Sequence, residues 1–409
     1  MQFENLIMAM QEKPKFVHKL MDFLVEEVLA PYINAYFKVV PGADIANGKD
    51  AVGSLPFITE EILEEFSVPY LLKLRKLCGD RPGVRSDNWW GDSFAADIEK
   101  YWDVKLQVTP QYLKIQDPDC FYVGTERARD YADSRECALS FGVGTLLLQV
   151  GTAEEITQRI HEYMEVGSRG PHGKKFFLYL HYSNIHTGIM REVLKKYDNF
   201  SDEYFSNVDK NSDFYDSLFD EADEYLGEII NHINKLGLNE DTLLVVISDH
   251  GISIGEKFGE RAYGVFCYDY TLKSTVLFNH PQIPPTCINN QVRSIDILPT
   301  VLDLLSIPQD TNYSKIDGKN LVPSIDGKHE ARVAFSQSGN PLNSTKPPKE
   351  PNVYAVRTDE WKYIRNIHDS SEELYFIKND PNEENNLINT EKEKSNEMRS
   401  EMNSILNQK

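Results

Sequence analysis

Along the first 170 residues, apolar positions recur at helical spacing in long stretches and cluster in short runs between them. KPKFVHKLMDFLVEEVLAPYINAYFKVV reads as helix, and Pro31 is expected to kink or divide it because it lacks an N–H and crowds the preceding turn. PGADIANGKD follows as a short strand and loop. ITEEILEEFSVPYLLKLRKLCGD is a second helical stretch, opened by Thr59 ahead of two glutamates, an amino-terminal cap signal. GVGTLLLQVGTAEEITQRIHEYMEVGSRG gives a strand, a loop and a helix capped by Thr152. Repeated βα units of this length predict a parallel sheet or barrel.

From Lys174 the texture changes. KKFFLYLHYSNIH is a hydrophobic strand ending in polar residues, and DSLFDEADEYLGEIINHINKLGL is an amphipathic helix. DTLLVVISDHG is a fully buried strand running into a glycine loop, STVLFNHP is another strand, and SIDILPTVLDLLSI starts a helix. DEWKYIRN with EELYFIKND gives a terminal hairpin pattern. Strands alternating with helices predict a doubly wound α/β sheet with a small antiparallel piece at its end. The segment GSRGPHGKK has the glycine, proline and charge of a surface linker. It places a boundary near Pro171, dividing the chain into 1–172 and 173–409.

The length of 409 residues fits two such domains. With 41% hydrophobic and 26% charged residues the composition is that of an ordinary globular chain. A formal charge of −21 argues against nucleic acid and against an anionic membrane surface as partners. It says little about a small anionic substrate, since a bound metal can reverse the sign inside a cleft. Acidic stretches such as DEYFSNVDKNSDFYDSLFDEADE and NDPNEENN read as solvated surface. Cys78, Cys120, Cys137, Cys267 and Cys287 are scattered, without the spacing of a disulfide framework or zinc knuckle. The amino terminus is amphipathic and broken by charge, unlike a signal peptide, and no apolar run approaches the roughly 20 residues of a membrane span. A cytoplasmic location is the expectation.

The strand LLVVIS would put Asp249 and His250 at its carboxyl end, where ligands gather in open α/β sheets. A carboxylate and an imidazole suit Ca2+, Mg2+ or Mn2+ only if more oxygen ligands join them. The competing reading makes Asp249 a turn cap and His250 a histidine satisfied by local hydrogen bonds. His186 closes LHYSNIH after another strand, as a substrate-facing group or as a strand-end histidine bonded to backbone. Asp296, just ahead of a helix with Pro299 in its first turn, reads as structural.

Four blocks in order, FFLYLHYSNIH, VVISDHG…GE, VRSIDILPTVLDLLSI and VRTDEWKYI…EELYFIKNDPNEENNL, make the second half similar to the sulfatases of the alkaline phosphatase superfamily. The resemblance implies that Asp249 and His250 are a pair of metal ligands and that His186 contacts the ester or acts as general acid. The family's lysine ahead of the pair matched here by Tyr268 and Asp269 is missing. Lys257 and Arg261 are the nearest cations; either could replace that charge or be solvated surface, and Lys257 is the catalytic candidate. The resemblance also calls for a nucleophile in C/S-x-P-x-R or C/S-x-A-x-R, converted to formylglycine, and for an early acidic pair. None of CGDRP, CFYVG, CALSF, CYDYT or CINNQ fits, and no serine fits.

PGADIANGKD, EEFSVPYLLKLRKLCGD and GTLLLQVGTAEEITQRIHEYMEVGSRG resemble the carboxyl-terminal half of the uroporphyrinogen decarboxylase family, a (β/α)8 barrel that includes cobamide-dependent methyltransferases. Where methyltransferase members hold zinc through His-x-Cys, this chain has Arg85 and Asp87, and a guanidinium does not ligate zinc. Together the resemblances imply an incomplete half barrel followed by a sulfatase-like sheet. The function they imply is an impaired hydrolase of sulfuric or phosphoric esters that binds a divalent metal weakly. A decarboxylase- or methyltransferase-like protein and a non-catalytic binding protein are the alternatives. Unclosed sheet edges would favour a homo-oligomer.

Overall fold

The computed structural model describes residues 3–40, 43, 45–48, 54–55, 58–86, 89–116, 119–142, 152–168, 176–182, 184–196, 200–309, 316–328, 330–341 and 348–407. The chain divides into two compact units between Tyr179 and Leu180. The linker around Pro171, most of the apolar run 142–150 and Asp87 lie outside the described residues.

The first unit opens with helices Phe3–Glu12, Pro14–Phe23 and Ala30–Val39, the last two joined by a π-helical stretch, Leu24–Leu29. Pro31 therefore does not divide the helix. A widened turn just before it absorbs the missing donor and the ring. Strand β1 (Ala46–Gly48) pairs in parallel with β2 (Val84–Ser86), and β3 (Tyr112–Gln116) with β4 (Ala138–Gly142). Helices Glu60–Phe66 and Val68–Leu77 connect the first pair, and Asp119–Val123 and Thr125–Ser134 the second. These are the expected βα crossovers, but among the described residues they form two separate two-stranded sheets. Thr59 caps its helix by accepting from the Ile62 N–H. Thr152 and Glu155 exchange reciprocal bonds as a capping box.

Leu113 and Ile115, alternate residues of β3, are fully buried with Trp89, Tyr101, Trp102 and Leu63. Beside them the buried Asp92 carboxylate accepts from Lys105 Nζ and from Trp102 Nε1, each at 2.8 Å. Burial still pushes the Asp92 carboxyl upward against its lysine. Gly91 holds φ at +91°, and a Cβ there would lie 1.9 Å from the Leu55 carbonyl oxygen, so only glycine fits.

In the second unit, helix Asn184–Lys196 packs on the long helix Val208–Lys235 through Ile189 and Val193 on one side and Phe214 and Leu218 on the other. Residues 176–182, expected as a strand, take no ladder partner, and His186 stands in the first turn of a helix instead. The described stretch ends at Tyr182, and the helix begins at Asn184.

Strand β5 (Leu244–Ile247) is neither fully buried nor parallel. It pairs antiparallel with β6 (Val276–Asn279), with Ile247 and Leu277 half exposed. A parallel return needs a long crossover, and residues 248–275 hold only the four-residue helix Asp269–Leu272. The doubly wound parallel expectation fails here for that reason. The terminal hairpin is present and extended: β7 (Ala334–Ser338), β8 (Val353–Arg357), β9 (Lys362–Asn366) and β10 (Ser371–Tyr375) form an antiparallel sheet in the order β10-β9-β8-β7. Helix Lys392–Leu406 buries Met398 and Met402 against Val356, Tyr363 and Leu374.

Among the described residues, no helix is long and apolar enough to cross a membrane.

Candidate active site

The DHG loop leaves β5 at Ser248, whose N–H donates to the Thr275 carbonyl at 3.0 Å. Gly251 then passes so close to the helix Asp269–Leu272 that a Cβ would lie 2.2 Å from the Tyr270 carbonyl oxygen. Its N–H donates to the Thr271 carbonyl at 2.9 Å, which fixes the loop. Asp249 Oδ1 accepts from the His250 N–H at 2.9 Å. His250 Nδ1 lies 2.7 Å from the Gly251 carbonyl oxygen. A carbonyl only accepts, so Nδ1 carries the proton and the free lone pair of a neutral ring is on Nε2. That Nε2 is 3.6 Å from Asp249 Oδ2, whose side chain is 76% exposed.

Tyr263 brings the distant histidine into the same place. Its ring centroid is 4.2 Å from that of His250 and 5.5 Å from that of His186. The loop bearing Tyr263 is wrapped around the fully buried Glu260. Glu260 Oε1 accepts from the Arg261 and Val265 N–H groups, and Oε2 from that of Phe266. Burial outweighs these three donors and pushes the Glu260 carboxyl up to about 7.

The comparisons with known proteins bear on the same stretch. Residues 107–307 match the sulfatase family, and residues 260–409 match the family described as N-sulphoglucosamine sulphohydrolase, C-terminal. This region is sulfatase-family sequence. The match begins well ahead of the boundary expected near residue 172. Bovine arylsulfatase K (Bos taurus) is 28% identical over 200 residues, 47% of this chain and 36% of the relative. The choline-sulfatase of Rhizobium meliloti (strain 1021) is 27% identical over 191 residues, 47% of this chain and 35% of the relative. The matches thus span about a third of the length of these curated relatives. Among solved structures, the crystal structure of Ps i-CgsB covers 61% of this chain and 54% of its own at 20% identity, with a TM-score of 0.45, too distant to bear on the fold.

Of the four site residues expected in this sulfatase-related unit, three gather. His250 and His186 both lie against Tyr263, and Asp249 stands beside His250. Lys257 does not join them: its Nζ donates to the Glu383 carbonyl at 2.7 Å and lies 5.0 Å from the Tyr268 ring centroid. Asp249 Oδ2 and His250 Nε2 are donors a divalent ion accepts, but they are two, and such ions want six or more ligands. Among the described residues, no group of three or more His, Cys, Asp or Glu side chains could hold a metal. The side chains present therefore do not make a resident metal site. Of the five cysteines, Cys78, Cys120, Cys137 and Cys267 are buried and Cys287 is exposed. Burial pushes the Cys267 thiol up to about 12.

Lys257 instead borders a second polar cluster. Lys362 Nζ, fully buried, contacts Asp269 Oδ1 and Glu383 Oε1, each at 2.7 Å, and Arg357 Nε is 3.0 Å from Asp269 Oδ2. Burial raises both carboxyls. Lys362 and Arg357 together overcome it at Asp269, which ends below the usual range, whereas Glu383, with Lys362 alone, stays above it. Asp296 has the structural task expected of it, accepting from Arg293 and from the Lys319 N–H while fully buried. Tyr263 and Glu260 were not legible as site residues. GERAYGVF carries no periodic or motif signal, and their roles come from contacts across the unit.

Proposed function

We propose that the second unit holds a sulfatase-like site for small anionic esters, sulfuric or phosphoric, whose turnover is impaired. The observation that carries this reading is the placement of His186 and His250 on the same tyrosine, with Asp249 beside them. Two imidazoles held on one tyrosine can donate to the non-bridging oxygens of an ester, and either can give a proton to a departing alkoxide. His250 has its proton on Nδ1 committed to Gly251, so its Nε2 serves as acceptor when neutral and as donor when protonated. Among the described residues none is placed as a nucleophile, and the sequence carries no C/S-x-P-x-R or C/S-x-A-x-R motif, which supports the impaired reading.

A non-catalytic binding protein is the second reading. It is favoured by the local satisfaction of Asp249 and His250 through backbone bonds. The second crossover of the first unit, residues 112–142, lies inside the sulfatase match, so its parallel strands do not favour a decarboxylase-type half barrel. The test is turnover of 4-nitrophenyl sulfate and 4-nitrophenyl phosphate by the purified chain, with and without Ca2+. The expected rate is close to the buffer blank for both esters. Sustained metal-dependent turnover, abolished by His250→Ala, would overturn the impaired reading.

A further inference from the structure

In the first unit a cavity of about 430 Å3 opens among Ile45, Arg81, Pro82, Gly83, Arg85 and Gln111. Five of the six lie on the approaches to β1, β2 and β3, and Arg85 is the middle residue of β2. In a chain with 64 acidic residues, the described residues of this wall contribute two guanidinium groups and no carboxylate. Among the described residues neither arginine has an ion-pair partner. Arg81 donates once, weakly, to the Ala43 carbonyl at 3.3 Å and rests on Phe37, its guanidinium carbon 4.3 Å from the ring centroid. Arg85 rests on Tyr112 at 5.2 Å, and its Nε is buried without a hydrogen-bond partner.

Arg75 shows the contrast. It stands close by in sequence and spends its guanidinium on the Val84, Gln107 and Val108 carbonyls. A buried guanidinium nitrogen left without an acceptor costs free energy unless something supplies one. The aromatic faces hold both guanidinium planes in place while leaving their edges free to donate.

We propose that this cavity binds a small organic anion, its phosphate or carboxylate group held by Arg85 and Arg81. The forked donors match a planar carboxylate or two oxygens of a phosphate. The apolar walls at Ile45 and Pro82 suit a carbon body rather than a bare ion, and the cavity volume is within the range of small-molecule sites. The Gln111 amide, on the same wall, is available to a third oxygen. This site lies wholly in the first unit and does not depend on the ester site proposed above.

The test is calorimetric titration of the full chain with phenylphosphonate, which cannot be hydrolysed, and with benzoate, using benzyl alcohol as the neutral control. At least one anion should bind saturably and weaken with added salt, and benzyl alcohol should not bind. Arg85→Gln and Arg81→Gln should each weaken binding by roughly ten-fold or more, and Arg85→Lys by less, because it keeps charge but loses the fork. Thermal melts identify any variant that fails to fold, leaving the other to decide. Lys100→Gln, at an exposed amine elsewhere in the first unit, should leave binding unchanged. Absence of saturable binding by both anions, an unaffected Arg85→Gln in a folded protein, or an equal loss of binding in Lys100→Gln would overturn the proposal.

Discussion

Replacing Glu260 with glutamine should flatten the pH dependence of stability between about pH 4.5 and 7. Glu260 is fully buried, and its carboxyl sits at about 7 rather than its ordinary 4.5 because burial disfavours the anion and Glu256 adds repulsion. Below pH 4.5 the group is protonated in both folded and unfolded chains and contributes no penalty. Between 4.5 and 7 the folded chain holds a proton that the unfolded chain has released, so stability falls as pH rises, and above 7 the loss is complete. At about 1.4 kcal/mol per pH unit the full loss is on the order of 3 kcal/mol. Glutamine has no charge to bury, so it removes this term. One amide oxygen can keep the donors from Arg261 and Val265, but the amide NH2 would then face the Phe266 N–H, costing about 1–3 kcal/mol at every pH. Urea unfolding of both proteins at pH 4.5 and 8 separates the two effects. The wild type should lose on the order of 3 kcal/mol more than the variant on going from the lower to the higher pH. Parallel stability profiles would refute the reasoning and make Glu260 an ordinary ionised cap.

Lys362→Met should destabilise the second unit by about 3–5 kcal/mol, since it leaves Glu383 without a cation in the interior and Asp269 with Arg357 alone, as urea midpoints will register. Gly91→Ala should cost on the order of 3 kcal/mol in the first unit, because the added Cβ meets the Leu55 carbonyl at a positive φ. Calcium titration should give only weak heat, with a dissociation constant on the order of millimolar, lost in Asp249→Ala. Proteolysis in the stretch between 168 and 180 should leave two protected fragments, matching the two compact units.

What the sequence revealed was local. Thr59 and Thr152 announced their helices because a cap needs only the next three residues. The β9–β10 hairpin followed from alternation across a short turn. The adjacency of Asp249 and His250 was certain from their numbers. What escaped was set by distant partners. The apolar run of β5 reads as a buried central strand, and only the short helix between it and β6 makes the return antiparallel. Lys257 lies beside the DHG loop in sequence, yet its amine is drawn to a carbonyl 126 residues away. Tyr263 gained its place between two histidines from a loop shaped by Glu260, a contact pattern that no periodicity encodes.

The site in the second unit rests on His186 and His250 acting as one, and imidazole NMR tests that most directly. The measurement is titration of the full chain with 4-nitrophenyl sulfate while following the ring resonances of both histidines, assigned with His186→Gln and His250→Gln. If both face one ester-binding opening across Tyr263, the two sets of resonances should move together with a single midpoint, and Tyr263→Ala should uncouple or abolish the shifts. Resonances that stay still, or that move with separate midpoints, would contradict a shared site.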